Sequence, residues 1–574
     1  MMKMKKIFLA AALLAMTTAA GAQSMYDAIA YSQNNYFGTA RSMSMGNAVT
    51  ALGGDLGSIG INPAGSAVSS FGQFVITPGV VVSAVSSQYS PEGENGYGPT
   101  NTLKQPKMTL PNVGMSMTFE TGKRYGVKAV SFAMLCNQTN NFNFAADAFG
   151  NNSRTSKIAE FADAAYGISD FFLARTNDYN PYDYSDVSWD ILTAYNGGMF
   201  GPYTEYDDEF VGVTEMISDD GDYHFVPGQL AQTSALTKNG SKTDLVMNFG
   251  MNISDRVYVG MNLGVPMAHY RFNESFYEAA VNPDQFPIVY DDGGTTYFQR
   301  GYYNYQYLAD MGGIYASLGV IVRPTDNLRL GASIQSPTAM SISETWQYMA
   351  STTFSDSNYN DSETSPAGEY SYNLRTPYRA SFGAAYTFDK MGVVSVDYEI
   401  ADYSVMRFSP VHMDRMANDE FLSQNMTNKY FAGVAQNLRV GAEFKVTPAF
   451  AVRAGYSMST SPERWWTDNT GATVTADDYA ADFYTYFDRV KNLMTPHYYG
   501  DVTKSYSAGF GYSSPGSFFM DAAVRLTQYP VSTFSPYYDY NSYDSTGNLM
   551  RVQSPRVLNI RDLWSASLTF GWRF

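Results

Sequence analysis

The closing stretch Trp564-Ser565-Ala566-Ser567-Leu568-Thr569-Phe570-Gly571-Trp572-Arg573-Phe574 decides how the rest of the chain is read. Side chains of a strand point alternately to opposite faces. Here Trp564, Ala566, Leu568, Phe570, Trp572 and Phe574 share one face, and Ser565, Ser567, Thr569, Gly571 and Arg573 share the other. A face that is apolar along its whole length and ends on an aromatic suits lipid. A β-strand crosses a bilayer in about 9–11 residues.

The same period of two recurs at Leu374, Thr376, Tyr378, Ala380, Phe382, Ala384, Tyr386 and Phe388, at Val394, Val396, Tyr398 and Ile400, and at Leu438, Val440, Ala442, Phe444 and Val446. Extended along the chain, the pattern predicts fourteen strands near 72–88, 107–119, 125–142, 243–253, 256–273, 304–323, 328–346, 370–388, 391–408, 432–446, 449–461, 502–513, 517–529 and 560–574. An even count fits an antiparallel barrel made by one bacterial chain. Tight connections at Thr121-Gly122, Ser254-Asp255, Pro324-Thr325-Asp326, Asp389-Lys390, Thr447-Pro448 and Ser514-Pro515-Gly516 carry turn-forming residues and alternate with much longer links. A soluble sandwich or propeller also alternates, but it does not ask for strands that are apolar to their very ends.

Composition agrees with a membrane barrel. Aromatics make up 15% and charged residues only 16%, and the apolar residues are dispersed. The net charge of −17 disfavours a nucleic-acid partner. Residues 1–22 read as a secretory signal, with Lys3, Lys5 and Lys6 before an apolar core and Ala20-Gly21-Ala22 as the cleavage site. No stretch reaches the roughly 20 apolar residues of a spanning helix. The single cysteine, Cys136, has no partner for an internal disulfide. The long link 143–242 opens on a helical face of Ile158, Phe161, Ala162, Ala165, Ile168 and Phe172, and a second helical element is expected over 479–493.

Residues 23–70 lack the alternation and need a place other than the wall, most economically the lumen. They contain AIAYSQNNYFGTARSMSMGNAVTALGGDLGSIGINPAG, which resembles the amino-terminal hatch of the FadL/TodX family of hydrophobic-compound channels at Gly38, Ala40, Gly46, Ala48, Asp55 and, above all, Asn62-Pro63-Ala64. Gly-Thr-Ala-Arg-Ser and Ala-Leu-Gly-Gly-Asp are closer to the Bacteroidetes branch. The resemblance implies an all-β outer-membrane barrel (71–574) around a plug (23–70). It further implies passive uptake of compounds such as long-chain fatty acids, captured by outer loops, gated at Asn62, Pro63 and Ala64, and released sideways where the third strand is kinked.

On that basis Ile158, Phe161, Phe171, Phe172 and Leu173 are candidate capture residues, and Asn137, Asn140 and Asn141 mark the candidate lateral opening. Trp465 and Trp466 suit an interfacial belt. Arg256, Arg329, Arg375, Arg379, Arg439, Lys445, Arg453, Lys504 and Arg525, with Asp397, Glu399, Glu443 and Asp521, lie on polar strand faces. If they point inward they hold a carboxylate head group or brace the barrel and seat the hatch. With only His224, His269, His412 and His497 and no hydrolase or metalloprotease motif, an enzyme is not expected. No cofactor or metal is expected. The partners expected are a hydrophobic ligand, outer-membrane lipids and, through the terminal strand, the barrel-assembly machinery, around a monomer. The alternative is a porin-like or adhesin-like barrel acting through its long acidic loops.

Overall fold

The structure, a computed structural model, describes residues 24–574 apart from 92, 94–95, 185, 204–207, 219–222, 290–292, 390, 412–420, 469, 482, 484–485, 487–488, 491–493 and 544–546. The predicted leader 1–22 and His412 lie outside the described residues.

Fourteen antiparallel strands close into a barrel. In chain order they are β1 (Gln73–Ser90), β2 (Asn101–Glu120), β3 (Val127–Asn141, resuming as Phe144–Asn152), β4 (Leu230–Ile253), β5 (Val257–Ala280), β6 (Thr295–Val322), β7 (Leu328–Gln335 and Ala339–Phe354), β8 (Gly368–Arg375 and Arg379–Phe388), β9 (Gly392–Asp402 and Arg407–Pro410), β10 (Val434–Lys445), β11 (Phe450–Thr460), β12 (Val502–Ser513), β13 (Phe518–Gln528) and β14 (Arg556–Arg573). The terminal strand closes the wall: β14 pairs with β1 from Gln73 opposite Arg573 to Ser90 opposite Arg556. Phe574 then exchanges backbone hydrogen bonds of 2.9 and 3.0 Å with Gly72. Trp564, Leu568, Trp572 and Phe574 face outward, while Ser565, Ser567 and Thr569 are buried inside.

The outward face forms an apolar belt. On β5 it runs through Met261, Leu263 and Met267, and on β8 and β9 through Tyr378, Phe382, Tyr386, Val394, Val396 and Tyr398, all exposed. Among the described residues no helix is long and apolar enough to cross a membrane. At one end the turns are tight: three residues join Ile253 to its partner Val257, and of these Ser254 and Asp255 adopt positive φ, 56° and 59°.

Several strands run much further than the alternation predicted. β4 and β5 have 24 residues each and β6 has 28, whereas β10 has 12. Above the belt both faces are mixed polar and aromatic, so the apolar dyad that marks lipid contact is absent there. The long link accordingly spans 153–229 rather than 143–242.

The parity of the alternation also changes at the top of the belt. On β8 Leu374 and Tyr372 face inward, yet below Pro377 it is Arg379 and Ser381 that do. The dyad drawn from Leu374 to Phe388 is therefore two faces joined at Thr376-Pro377, because proline cannot donate to the ladder. β7 breaks likewise at Ser336-Pro337-Thr338, between Gln335 and Ala339.

The long link folds as a cap on the tall side of the barrel. Its predicted single helix is two, Lys157–Ala164 and Asp170–Leu173, separated at Gly167, whose φ of 84° a side chain disfavours. The second predicted helix is observed over Ala476–Ala481; the residues after it are only partly described.

Candidate functional site

Residues 24–70 run through the interior and are seated on a bed that the wall makes for them. Asn62 caps the short helix Pro63–Val68: its side-chain oxygen accepts from the Ala64 N–H at 3.0 Å, and proline occupies the first turn, where a missing donor costs nothing. Its amide group donates to the carbonyl oxygens of Thr50 at 2.7 Å and of Val320 on β6 at 3.2 Å. Ala64 is fully buried against Tyr258 and Ile321. The wall meets this backbone with glycines. A Cβ at Gly260 would strike the Pro63 carbonyl, at Gly331 the Thr50 carbonyl, at Gly441 the Met45 carbonyl, and at Gly455 the Gly46 nitrogen.

Charges complete the seat. Arg41 Nε lies 3.0 Å from Glu443 Oε2, which Arg453 Nε also meets at 2.6 Å. Glu399 holds Arg439 at 2.7 Å and Arg379 at 3.3 Å, and Asp397 accepts from the Thr50 N–H at 2.7 Å. Arg329 and Arg525 donate to the Leu52 and Tyr36 carbonyls at 2.7 and 3.0 Å. Such buried pairs add little net stability, because desolvation offsets their attraction, but removing one partner leaves a costly unpaired charge. Arg375, Lys445 and Lys504 are exposed instead, and Arg256 pairs with Asp326 at the tight-turn rim. These four do not enter the lumen, because each lies where parity or the strand end turns it out.

β2 and β3 part beside this segment. Their pairing runs from Glu120 opposite Ala129 to Asn112 opposite Asn137 and stops there. β2 stays paired with β1 as far as Asn101, and β3 stays paired with β4 through a bulge between Gln138 and Asn140. The extra residue is Thr139, and it reverses the inward parity from Ala133 and Leu135 to Phe142 and Ala146. The carbonyls of Gln138 and Thr139 accept from the Phe37 and Asn35 N–H groups at 3.0 and 2.7 Å. Asn140 donates to the Ala30 carbonyl at 3.2 Å, and Lys242 Nζ donates to that of Tyr31 at 2.9 Å. Asn137, Asn140 and Asn141 are all buried. Polar side chains span the cleft above: Gln105 donates to Asn239 at 2.9 Å and Lys107 to Asn143 at 3.2 Å. Met108, the next residue of β2, is 85% exposed.

Over the segment's first helix, Met25–Ser32, the lumen is apolar and aromatic. Met25, Ala28, Ile29 and Tyr31 pack with Phe142, Tyr270, Met311, Ile342 and Tyr372. Higher up, half-buried rings continue the lining, with Tyr305 stacked on Tyr348 at 4.8 Å and Trp346 at 6.2 Å from Trp189 of the cap. Sequence reading missed this column. Its signal is the alternation Tyr303, Tyr305, Tyr307 on β6, polar between and outside any lipid face.

Of the predicted capture residues, Ile158, Phe161 and Leu173 form the cap's buried core. Phe171 and Phe172 are exposed, and Phe171 stacks on Tyr179 at 5.2 Å. Trp465 stacks on His497 at 4.3 Å, and Trp466 is buried with its N–H on the Tyr430 carbonyl at 3.0 Å.

The cap also buries acids. Burial pushes Glu160 up to about 7 against the pull of Lys157, and burial pushes Asp163 up to about 6 against His224 and Arg551. Glu215 is raised for the same reason despite His224 at 3.7 Å. A carboxyl raised on folding is held in place when protonated, so its contribution is complete at low pH and is lost as pH rises toward its folded value. The cap is expected to loosen between about pH 4.5 and about 7. Hydrogen exchange of residues 157–164, corrected for intrinsic rate, should show protection falling over that window, and Glu160→Gln should flatten the fall. Protection that is flat in the unsubstituted chain would contradict it.

On the outer wall, His269 Nδ1 lies 2.6 Å from Asp310 in a shallow hollow of about 530 Å³ lined by Ser241, Thr243, Met267 and Gly312. Among the described residues no three His, Cys, Asp or Glu side chains gather as a metal would need.

No model of a known protein family matches the chain, and no curated protein matches its sequence. Solved structures that align with it include a FadL homologue of Pseudomonas aeruginosa, at 12% identity over 94% of this chain and 99% of that one with a TM-score of 0.45. The toluene transporter TodX of Pseudomonas putida aligns at 10% identity over 94% and 99%, TM-score 0.45. The monoaromatic hydrocarbon channel CymD aligns at 12% identity over 93% and 97%, TM-score 0.41.

Proposed function

We propose that this chain is a bacterial outer-membrane channel through which hydrophobic small molecules, long-chain fatty acids among them, pass inward without an energy source. The observation that carries the reading is the lumen. An aromatic and apolar lining descends from the cap to the helix Met25–Ser32, and at that depth the interior is filled by a polar-seated segment while β2 and β3 separate. In this reading residues 23–70 are the hatch. A ligand's apolar tail gains about 0.8 kcal/mol for each methylene withdrawn from water, so a lined passage selects it from dilute solution. The hatch denies a straight aqueous path. The cleft beside Asn137, Asn140 and Asn141 offers a way out toward lipid that never returns the tail to water. Exposed Phe171 and Phe172 suit first contact at the cap.

The test is uptake of radiolabelled long-chain fatty acid and of toluene by a strain lacking its own such channel. Expression of this chain should restore uptake of at least one. Replacing Asn62, Pro63 and Ala64 together by glycine removes the cap, the fixed first turn and a buried methyl, and should cut that uptake about tenfold or more. Restored uptake of small sugars instead would favour an open porin. Unchanged hydrophobic uptake in the substituted chain would remove the hatch from the mechanism.

A further inference from the structure

Two arginines stand side by side on the outside of the wall, just above the apolar belt. Arg375 of β8 and Arg407 of β9 are direct cross-strand partners and both are exposed. Their strand neighbours Leu374 and Phe408 are buried in the interior cluster, which sets the two guanidinium groups on the outer face. Like charges placed directly opposite on one face repel, so this pair opposes the sheet that carries it. Among the described residues neither forms an ion pair. The nearest acid on β9, Asp402, is engaged by the Ser404 N–H at 3.0 Å and its hydroxyl at 2.6 Å. At the opposite rim Lys128 pairs with Asp255, and Arg256 and Arg323 pair with Asp326.

What surrounds the pair says what would compensate it. Below lie exposed apolar side chains, Tyr378, Val405, Ile314 and Ile334. Toward the cap, on the same outer face, lie the exposed hydroxyls of Ser341, Ser343 and Ser371, the last two 3.2 Å apart. A ligand that fits carries an anionic group at the height of the arginines, hydrogen-bonding groups above it and hydrocarbon beneath. Two adjacent guanidinium groups match the oxygens of a phosphoryl group, each able to offer paired donors.

We infer that Arg375 and Arg407 form a binding site for the phosphate-bearing head group of an outer-leaflet lipid, with its acyl chains against Tyr378 and Val405. The inference rests on the outer-membrane reading above. The site holds the barrel at a fixed depth and neutralises the repulsion between the two strands.

The full-length mature chain in nanodiscs is titrated with a phosphorylated, acylated glucosamine disaccharide and, separately, with the same lipid after enzymatic dephosphorylation, and bound lipid is counted by native mass spectrometry. Tighter binding of the phosphorylated lipid is expected, weakened about tenfold by each of Arg375→Gln and Arg407→Gln, largely kept by Arg375→Lys, and untouched by Arg256→Gln. Inorganic phosphate at millimolar concentration should not displace it. Equal binding of both lipids, or of the phosphorylated lipid by the unsubstituted and doubly substituted chains, overturns the site, as does full displacement by free phosphate. Insertion into bilayers as a heat-modifiable barrel is scored on the same samples. If the chain does not insert, the membrane reading fails and the site with it; if it inserts but ignores the phosphate, the site alone fails.

Discussion

Replacing Gly260 and Gly455 together by valine is expected to turn a closed barrel into an ion-conducting pore. A barrel's diameter grows with its strand number, and one of fourteen strands encloses more space than its own inward side chains fill. What fills it here is residues 24–70, and their backbone lies against wall glycines. At Gly455 the space a Cβ would take belongs to Gly46 and Met45, and at Gly260 to Pro63 and Ala64. The strand itself gains from the change, because valine suits a pleated wall better than glycine. Any loss must therefore come from the seat. Overpacking costs about 1–3 kcal/mol per site, and distant sites add, so Gly260→Val with Gly455→Val should unseat the segment while the wall still closes. Single-channel recording in planar bilayers should show conductance rising roughly a hundredfold toward that of the chain lacking residues 24–70, as an emptied lumen of this width fills with water. Gly312→Val is the control, since nothing lies within 4 Å of its added Cβ. A doubly substituted barrel that stays as tight as the unsubstituted one would show that something other than the amino-terminal segment seals it.

The belt was legible in the sequence because lipid imposes a rule on every strand that touches it: Trp564 to Phe574 must alternate, and they do. The wall above the belt obeys no such rule. There β4, β5 and β6 face the lumen with Lys238, Tyr270 and Tyr305 and water on the other side with residues such as Arg271 and Gln306, so neither face is uniformly apolar. The parity reversals were visible in principle, as a shift of the apolar phase across Thr139 or Pro377, but reading on in one phase from Leu374 to Phe388 hides them. The glycine bed left no trace at all. A glycine facing the interior differs from one in a turn only through what approaches it, and Gly455 and Gly46 are brought together by the closed wall rather than by local sequence. The arginines divided for the same reason: Arg379 and Arg375 are four positions apart on one strand, and the intervening break sends one to Glu399 inside and the other to the outer face.

Deleting Thr139 should abolish hydrophobic uptake and leave the barrel intact. Thr139 is the one residue of β3 without a place in the register with β4 between Gln138 opposite Thr243 and Asn140 opposite Lys242. A one-residue slip in a strand ordinarily turns every side chain to the wrong face. Here the bulge already reverses the parity, so its removal leaves Ala133 and Leu135 inward below and Phe142 and Ala146 inward above, now in a single phase. The deletion takes away the hydroxyl's 2.9 Å bond to Asp244 and the carbonyl that accepts from the Asn35 N–H. Straightened, β3 continues the ladder past Asn112–Asn137 along the free edge of β2, and each residue regains the backbone bonds that the cleft denies it. Heat-modifiable migration and thermal midpoint should hold or rise, and ion conductance should stay at its closed level, because the glycine bed is untouched. Fatty-acid or aromatic uptake should fall more than tenfold. If uptake persists in a chain whose β2–β3 pairing is shown by exchange protection of 103–110 to be complete, the ligand does not leave through the wall, and the exit must be sought downward through the seat of Asn62 and Pro63.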